Sequence, residues 1–324
     1  MGRGWCHCCA AAAMLALIAG TASAQIPTDK PVRIVIPYAP GASADMSVRL
    51  IGQKVEEQGG PRVLVESKPG GGGTVAAMAV KTAPADSLSM FLADLGSFAI
   101  NVTLLPDQPF DREKDFKPVT PLYVFPSLLW VPASLPANSV GELVALAKRT
   151  PGGLSYGSQS FGAGAHLLGE MLAKTSGAPL VHVPYRGAAP AMADLAAGNI
   201  ALLFGSFVSA QAAHQARTVK VLAVASRQRT AVAPDAPTMP EAGYPDVVLD
   251  LWFGLVAQAA VPDATIRALN AMFVKAAHDP SVVDRLAAQG IGVLTSTPAE
   301  FAARIKADTE RVAPLVRSLN IKAN

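Results

Sequence analysis

The residues best suited to chemistry in this sequence are glycines and serines that follow a short apolar stretch at residues 154–156. They are spread along residues 157–164, and apolar residues from position 163 onward recur at helical spacing. The start of a helix leaves backbone N–H groups without partners, and the helix dipole adds partial positive charge there. Because residues 157–166 contain no lysine or arginine, they are predicted to bind an anion through backbone amides and hydroxyls.

A second loop of the same kind runs from Pro37 to Asp45, after a predicted buried strand at residues 32–36. It contains Gly41 and also Ser43, which we predict to be the N-cap of a helix with Asp45 in its first turn. This loop also has no basic side chain. We expect the two loops to face each other and to hold an anionic ligand between them.

The first 24 residues have the features of a secretory signal peptide. Arg3 precedes an apolar run of about ten residues, which is too short to span a bilayer, and Ala22-Ser-Ala24 is a small-residue cleavage site. All three cysteines, at positions 6, 8 and 9, lie before this site. The mature chain is therefore predicted to have no disulfide, no thiol catalyst and no thiolate metal site.

Composition narrows the class of protein further. The mature chain would keep about 300 residues, which is enough for two domains of ordinary size. The 27 lysines and arginines of the whole chain nearly balance its 24 aspartates and glutamates, and no basic run suggests a nucleic-acid partner. No mature segment offers about 18 consecutive apolar residues, so no transmembrane helix is predicted.

Strand-like and helix-like segments alternate along the chain, which predicts an α/β fold with mostly parallel sheets. The predicted strands cover residues 32–36, 62–66, 89–93, 154–156, 180–183, 200–204 and 219–225. The predicted helices cover residues 43–57, 75–82, 139–148, 163–174, 188–197, 263–278 and 280–289, with a last one from position 298. Residues 119–131 and 247–256, which contain Trp130 and Trp252, are interpreted as two extended crossovers between domains. The helical tail is expected to pack on the first domain.

A glycine-rich stretch suggests a nucleotide site as one alternative. Gly71-x-Gly73-x-x-Ala76 fits a loose dinucleotide fingerprint, with Asp94 near the place of a ribose-binding acid. However, the stretch does not follow its strand directly, whereas the fingerprint requires a tight turn at the strand end. Glycines that allow a ligand or another part of the chain to approach closely are the simpler interpretation.

A hydrolase is a second alternative, because Ser158 and Ser160 lie near His166 in the sequence. No Gly-x-Ser-x-Gly nucleophile elbow is present, and no acid stands at a spacing that would orient the histidine. His166 is interpreted as a residue of the first helical turn that holds the loop in place, and His182 as a structural or rim histidine in a strand. No paired spacing of ligands supports a metal site.

Several stretches together resemble one known family, the Bug-type (TctC-like) extracytoplasmic solute receptors of tripartite tricarboxylate transport systems. The resemblance covers almost the whole mature chain, and it depends on the order and spacing of many short motifs. The matching residues are Lys30-Pro-Val-Arg-Ile-Val-Ile-Pro-Tyr-Ala-Pro-Gly41, Asp45, Arg49, Val65-Glu66, Pro69-Gly70, Gly72-Gly73, Asn101, Asp115-Phe-Lys-Pro-Val119, Tyr156-Gly-Ser158, Gly162, His166-Leu167, His182-Val-Pro-Tyr-Arg-Gly187, Pro190-Ala191, Asp194-Leu195, Gly198, Pro237-Thr238, Glu241-Ala-Gly-Tyr-Pro245 and Trp252-Phe-Gly254.

The resemblance implies a two-lobed periplasmic binding protein of the type II, Venus-flytrap kind that closes on a small carboxylate-bearing ligand. Lobe 1 would comprise residues 25–123 and 250–324, and lobe 2 residues 124–249, with hinges at the two crossovers. The family is not enzymatic and uses no cofactor. Its partners would be a small organic anion and integral membrane transporter subunits, with the chain a periplasmic monomer. A secreted α/β enzyme remains the alternative.

The resemblance also implies which residues would contact the ligand. They belong to the two loops described first, to the glycine-rich stretch and to the end of a strand. The expected ligand-binding residues are Tyr38, Ala39, Pro40, Gly41, Ala42, Ser43, Asp45, Gly70, Gly71, Ser158, Ser160, Phe161, Gly162, Ala163, His166 and Tyr185. Ala42, Ser160 and Ala163 depart from the usual family residues at these positions, so the ligands of the family do not transfer directly.

Overall fold

The computed structural model describes residues 26–85 and 88–319, so the predicted signal peptide lies outside the described residues. These residues form two β-sheets flanked by helices. In the first part of the chain the strands and helices are β1 (Val32–Ile36), α1 (Ser43–Glu57), β2 (Val63–Ser67), α2 (Thr74–Lys81), β3 (Ser89–Asp94), α3 (Asn101–Leu104), α4 (Arg112–Asp115) and β4 (Phe116–Phe125). A 3-10 turn at Gly71–Gly73 precedes α2, and a π-helical turn at Gly96–Ile100 precedes α3.

The middle of the chain builds the second sheet, and the last part returns to the first. The middle elements are β5 (Leu128–Pro132), α5 (Val140–Arg149), β6 (Leu154–Ser158), α6 (Gly164–Ser176), β7 (Leu180–Pro184), α7 (Ala188–Ala197), β8 (Leu202–Gly205), α8 (Phe207–Gln215) and β9 (Val219–Val224). The last elements are β10 (Leu251–Gln258), α9 (Asp263–Ala277), α10 (Pro280–Ala287), β11 (Gly292–Val293) and α11 (Pro298–Ser318).

The first sheet has six strands in the order β11-β4-β10-β3-β1-β2. Its central strands β1 and β3 are almost completely buried, which explains their continuous apolar sequences. Strand β1 runs parallel to β2 and β3, whereas β10 runs antiparallel to both β3 and β4. We call this sheet with its helices lobe 1.

The second sheet has five strands in the order β7-β6-β8-β5-β9, and we call this sheet with its helices lobe 2. Strand β6 runs parallel to β7 and β8, and β5 runs antiparallel to β8 and β9. The expected two-lobed α/β class is confirmed, but both sheets are mixed rather than mostly parallel. Strands β10 and β5, which belong to the crossover segments, run against the direction of the βαβ units of their sheets. The short edge strand β11 runs in the same direction as β10.

The two crossovers are strands for much of their length rather than extended linkers. Strand β4 ends at Phe125 in lobe 1 and β5 begins at Leu128 in lobe 2, so the first passage is short. The return passes through residues 225–250 and enters lobe 1 at the start of β10. These points lie near the predicted lobe boundaries, which stay a prediction.

The helical tail packs on lobe 1, as expected from the sequence. Strand β11 pairs with β4, and Phe301 of α11 makes an edge contact with Trp252 of β10. Proline begins α10 and α11 as predicted, and Thr297 and Glu300 form a capping box at the start of α11.

Two local predictions need correction. The N-cap of α1 is Ala42 rather than Ser43. Helix α8 has no counterpart in the predicted elements, because its sequence is rich in alanine and has little amphipathic pattern.

Gly254 of β10 tests how tightly α11 is packed on the sheet. A Cβ atom there would lie 2.4 Å from Phe301 Cζ and 2.8 Å from Pro121 Cα, so Gly254→Ala should destabilise the fold by about 1–3 kcal/mol. Gly141→Ala is the control, because that position is exposed, helical and open, and alanine there should add up to about 1 kcal/mol. Urea unfolding of both variants checks this, and equal stabilities would contradict the packing described.

Candidate ligand-binding site

A cleft of about 900 Å³ lies between the two lobes. Its walls come from segments that follow the carboxyl ends of β1, β3, β6 and β7, where ligands of α/β sheets usually bind. The lining residues are Pro37, Tyr38, Ala39, Pro69, Gly70, Gly71, Gly72, Gly73, Thr74, Asp94, Gly96, Ser97, Asn101, Leu104, Leu105, Pro106, Asp107, Gln108, Pro109, Gln159, Ser160, Phe161, Gly162, Ala163, Tyr185, Arg186 and Gly187.

The structure brings most of the sequence-predicted site residues together around this cleft. Those that line it are Tyr38, Ala39, Gly70, Gly71, Ser160, Phe161, Gly162, Ala163 and Tyr185. Ala42 and Ser43 instead line a small cavity of about 40 Å³, which shares Tyr38 and Gln159 with the cleft. The other predicted residues, Pro40, Gly41, Asp45, Ser158 and His166, line neither space.

Asp45 fixes the loop of lobe 1 from behind. Its Oδ2 atom accepts the backbone N–H of Gly41 at 3.0 Å, and its Oδ1 atom accepts from Arg49 Nε at 2.8 Å. Asp45 is 5 % exposed. Its carboxylate binds the loop backbone and Arg49 and does not face the cleft.

A buried histidine, His166, and a half-buried one, His182, hold the loop of lobe 2. His166 Nδ1 accepts the backbone N–H of Gly162 at 3.2 Å, and His182 Nε2 lies 2.7 Å from Ser158 Oγ. The two imidazole rings stack with centroids 3.7 Å apart and planes 7° from parallel. Burial, together with the neighbouring His182, lowers the pKa of His166 to about 3, and burial lowers the pKa of His182 to about 4. Both rings are therefore neutral near pH 7.

Ser158 and His182 have the separation of a nucleophile and a base, but the rest of the geometry differs from such a pair. Ser158 Oγ also lies 2.8 Å from the carbonyl of Ser160, and one hydroxyl hydrogen cannot serve both neighbours. If the Ser158 hydroxyl donates to the carbonyl of Ser160, its oxygen accepts a hydrogen bond from His182 Nε2. His182 is then a donor and cannot act as the general base that removes the proton of Ser158. Ser158 is 0 % exposed, so the pair fixes the loop from behind the cleft wall.

The two lobes meet where Gly162 lies against Asn101. Asn101 Nδ2 donates to the carbonyl of Gly72 at 2.9 Å, and its Oδ1 atom faces Gly162 so closely that a Cβ there would lie 2.0 Å away. A Cβ on Gly96 would lie 3.1 Å from the carbonyl of Gly162. Gly162 also has a φ of +71°, which favours glycine. The glycines at this junction therefore allow the lobes to approach backbone to backbone.

Asp94 brings a buried carboxyl group to the floor of the cleft. Its Oδ2 atom accepts from Tyr38 Oη at 2.5 Å, and its Oδ1 atom accepts the backbone N–H of Ser97 at 2.7 Å. Burial raises the pKa of Asp94, and the hydrogen bonds from Tyr38 and Ser97 oppose that rise. Burial, followed by the charge of Asp94, raises the pKa of Tyr38. Arg186, which is exposed, is the sole lysine or arginine among the described residues that line the cleft.

Sequence reasoning missed several residues of the cleft wall. Asp94 and Gln159 directly follow or end strands, so the rule that ligands bind at carboxyl ends of strands could have found them. Asn101 appeared among the family motifs without a role. Residues 104–109 gave no signal, because their position depends on how the turn after β3 packs in three dimensions.

Residues 26–85 and 88–319 contain no group of three or more histidine, cysteine or acidic side chains that could hold a metal ion. No helix in these ranges is both long and apolar enough to cross a membrane.

The histidine pair predicts how stability depends on pH. Unfolded histidine has a pKa of about 6.5, so between about pH 6.5 and 4 the unfolded chain binds protons that the folded chain does not. The free energy of unfolding should therefore fall as the pH decreases from 7 to 5. His166→Gln should reduce this slope by up to about 1.4 kcal/mol per pH unit.

Urea unfolding at several pH values measures this slope. His278→Gln, which changes an exposed histidine of lobe 1, should keep the wild-type slope. A slope that His166→Gln leaves unchanged would mean that His166 is not held neutral by its surroundings.

Comparison with known proteins identifies the family. The family model described as "Tripartite tricarboxylate transporter family receptor" (TctC) matches residues 47–321. The UPF0065 protein in the tcbD-tcbE intergenic region of Pseudomonas sp. strain P51 is 33% identical, over 91% of this chain and 88% of its own length. The structure of R. palustris Rpa4515 with adipate is 28% identical with a TM-score of 0.86, covering 90% of this chain and 98% of that one. MatC from Rhodopseudomonas palustris with bound malate is 28% identical with a TM-score of 0.82, covering 89% and 99%. The chain belongs to the tripartite tricarboxylate transporter receptor family, as its motifs suggest.

Proposed function

We propose that this chain is a receptor that captures a small carboxylate-bearing molecule between its lobes and delivers it to a membrane transporter. The observation that carries the proposal is the cleft between the carboxyl ends of strands, walled by loops of both lobes. The backbone N–H groups of Ala39, Ser160 and Phe161, which line this cleft, donate to no other group among residues 26–85 and 88–319. Free backbone amides near helix starts are suited to binding a carboxylate.

The related structures support a carboxylate as the ligand class. Two proteins of similar fold were solved with adipate and with malate, both of which carry two carboxylates. Neither loop of the present cleft contains a lysine or arginine, so the carboxylate would be held by amides and hydroxyls. The proposed contact residues are those predicted residues that line the cleft, with Asp45, Ser158 and His166 supporting them from behind.

Family membership also supports the proposed partners and location. We propose that residues 1–24 direct export and are removed, and that the mature monomer works in the periplasm with integral membrane transporter subunits. The lobes would move about the two passages near residues 126–127 and 225–250.

A secreted hydrolase is the second candidate, because Ser158 Oγ lies 2.7 Å from His182 Nε2. The burial of Ser158 argues against it, since a nucleophile must reach its substrate. Hydrolysis of esters or amides by the purified protein, lost in Ser158→Ala, would favour the enzyme and contradict the receptor.

Direct binding measurements test the receptor proposal. Native mass spectrometry of the purified protein should detect one small molecule per chain, because such a site can retain its ligand through purification. Thermal unfolding with a panel of mono- and dicarboxylates should reveal a compound that stabilises the protein, by about 2.7 kcal/mol at a hundredfold excess over its Kd. A panel with no stabilising member and no retained ligand would contradict the proposal.

Gly162 should matter more for binding than the one basic residue of the cleft. Gly162→Ala would place a Cβ 2.0 Å from Asn101 Oδ1 and block the approach of the lobes, so affinity should fall by at least about tenfold. Arg186→Ala should have a smaller effect, because its side chain is exposed.

Gly177→Ala is the matched control, because Gly177 also has a positive φ of +63° but no atom within 4 Å of its would-be Cβ. It should carry the same backbone strain and keep wild-type affinity. Calorimetric titration of the three variants measures their affinities. A larger loss of affinity in Arg186→Ala than in Gly162→Ala would mean that the anion binds elsewhere.

The two tryptophans should report lobe closure without contacting the ligand. Trp130 and Trp252 are both 0 % exposed. The indole N–H of Trp130 donates to the carbonyl of Gly205 at 3.3 Å, and that of Trp252 donates to Asp308 Oδ2 at 2.8 Å. Both lie in strands next to the passages between lobes, so ligand should change their fluorescence.

Replacing each tryptophan by phenylalanine should reduce the signal and alter affinity by less than about tenfold, or 1.4 kcal/mol. Fluorescence titration gives the signal and calorimetry the affinity. A folded Trp252→Phe variant that no longer binds would contradict the closure interpretation for that strand.

A further inference from the structure

The charge inside the cleft is unexpected for a site that binds only anions. Asp94 is 6 % exposed and sits at the end of β3, on the cleft floor. The other charged side chains of the described lining are Asp107 and Arg186, and both are exposed at the surface. The most deeply placed charge in the cleft is therefore that of a carboxyl group.

Asp94 has no cation beside it within residues 26–85 and 88–319. Its hydrogen-bond donors are the Tyr38 hydroxyl, the backbone and hydroxyl of Ser97 and the backbone N–H of Gly96, all of which are neutral. A buried carboxylate without a positive partner is costly, and a cation brought by a ligand would offset that cost.

The carboxyl group also keeps acceptor capacity on the side of Tyr38. Its Oδ1 atom accepts two hydrogen bonds from Ser97, at 2.7 Å from the backbone and 3.0 Å from the hydroxyl. Its Oδ2 atom accepts from Tyr38 at 2.5 Å. The backbone N–H of Gly96 is a further, weaker donor to the same carboxyl group. A carboxylate oxygen has two lone pairs, so Oδ2 keeps room for a stronger, charged donor that enters from the cleft.

We propose that Asp94 selects a ligand that carries an ammonium or similar cationic N–H donor in addition to its carboxylate. This rests on the proposed function, because it concerns the same cleft. The carboxylate of such an aminocarboxylate would bind the amides of the loops, and its ammonium would pair with Asp94 Oδ2. A molecule that placed a second carboxylate at this point would be repelled.

A purely structural role for Asp94 is the competing account. The carboxyl group also closes the turn that begins at Gly96, through its bonds to Ser97, and it orients Tyr38. A structural role would make the loss of Asp94 weaken every ligand equally. A pairing role would weaken the aminated ligands alone.

Matched ligand pairs distinguish these accounts in the wild-type protein. Malate and aspartate differ by a hydroxyl against an ammonium, and adipate and 2-aminoadipate differ by a hydrogen against an ammonium. Calorimetry should give a Kd at least about tenfold lower for the aminated member of at least one pair, as a charge-assisted hydrogen bond would produce. If malate and adipate bind as well as or better than their partners, this inference fails and the receptor proposal stands. If no member of either pair binds, this inference fails, and the wider panel with native mass spectrometry still decides the receptor proposal.

Asp94→Asn then assigns the preference to this residue. Asparagine keeps the shape and one acceptor for Ser97, so the two members of the preferred pair should bind within about threefold of each other. Asp107→Asn removes an exposed acidic charge of the same cleft and should keep the wild-type preference. Equal losses for both members in Asp94→Asn, or a preference lost in Asp107→Asn instead, would overturn the assignment. The wild-type comparison decides the ligand class even if Asp94→Asn does not fold.

Discussion

The close contact between Gly162 and Asn101 is the constraint on which the site depends. It joins the loop after β6 in lobe 2 to the turn after β3 in lobe 1, with no room for a side chain between them. Asn101 Nδ2 also donates a hydrogen bond to the carbonyl of Gly72. Three segments of the chain therefore meet at the side-chain amide of Asn101. The position of this junction sets how far the lobes can approach and therefore the shape of the space that they enclose.

The histidine pair makes this junction rigid from the lobe 2 side. His166 holds the backbone of Gly162, while His182 contacts Ser158 at the base of the same loop. Burial keeps both stacked imidazoles neutral near pH 7, and a positive charge on one ring would further disfavour a charge on the other. The same burial that stabilises the loop near pH 7 therefore makes it sensitive to acid. It also explains why a serine and a histidine in hydrogen-bond contact need not form a catalytic pair.

In the proposed binding mode, the cleft combines two kinds of recognition that have different physical origins. Backbone amides near helix starts offer partial positive charge without a mobile basic side chain, so little side-chain entropy is lost when an anion binds. Asp94 contributes a buried carboxyl group whose orientation depends on Tyr38 and Ser97. A site with both features can reject a ligand by the arrangement of its charges as well as by its size. Members of one receptor family could differ in ligand through single residues at strand ends, while the fold stays the same.

The sequence by itself determined the local elements and the character of the two loops. Proline predicted where α10 and α11 begin. Glycine and serine indicated that the loops at Tyr38 and Gly162 contribute to one site. These features depend on interactions within a few residues, which is why pattern alone could find them. Strand direction in the crossovers, the stacking of His166 on His182 and the place of Asp94 on the cleft floor were decided only by the tertiary structure. Each of these features depends on contacts between segments that are far apart in the chain. Residue type and spacing do not indicate which distant segment will be the neighbour.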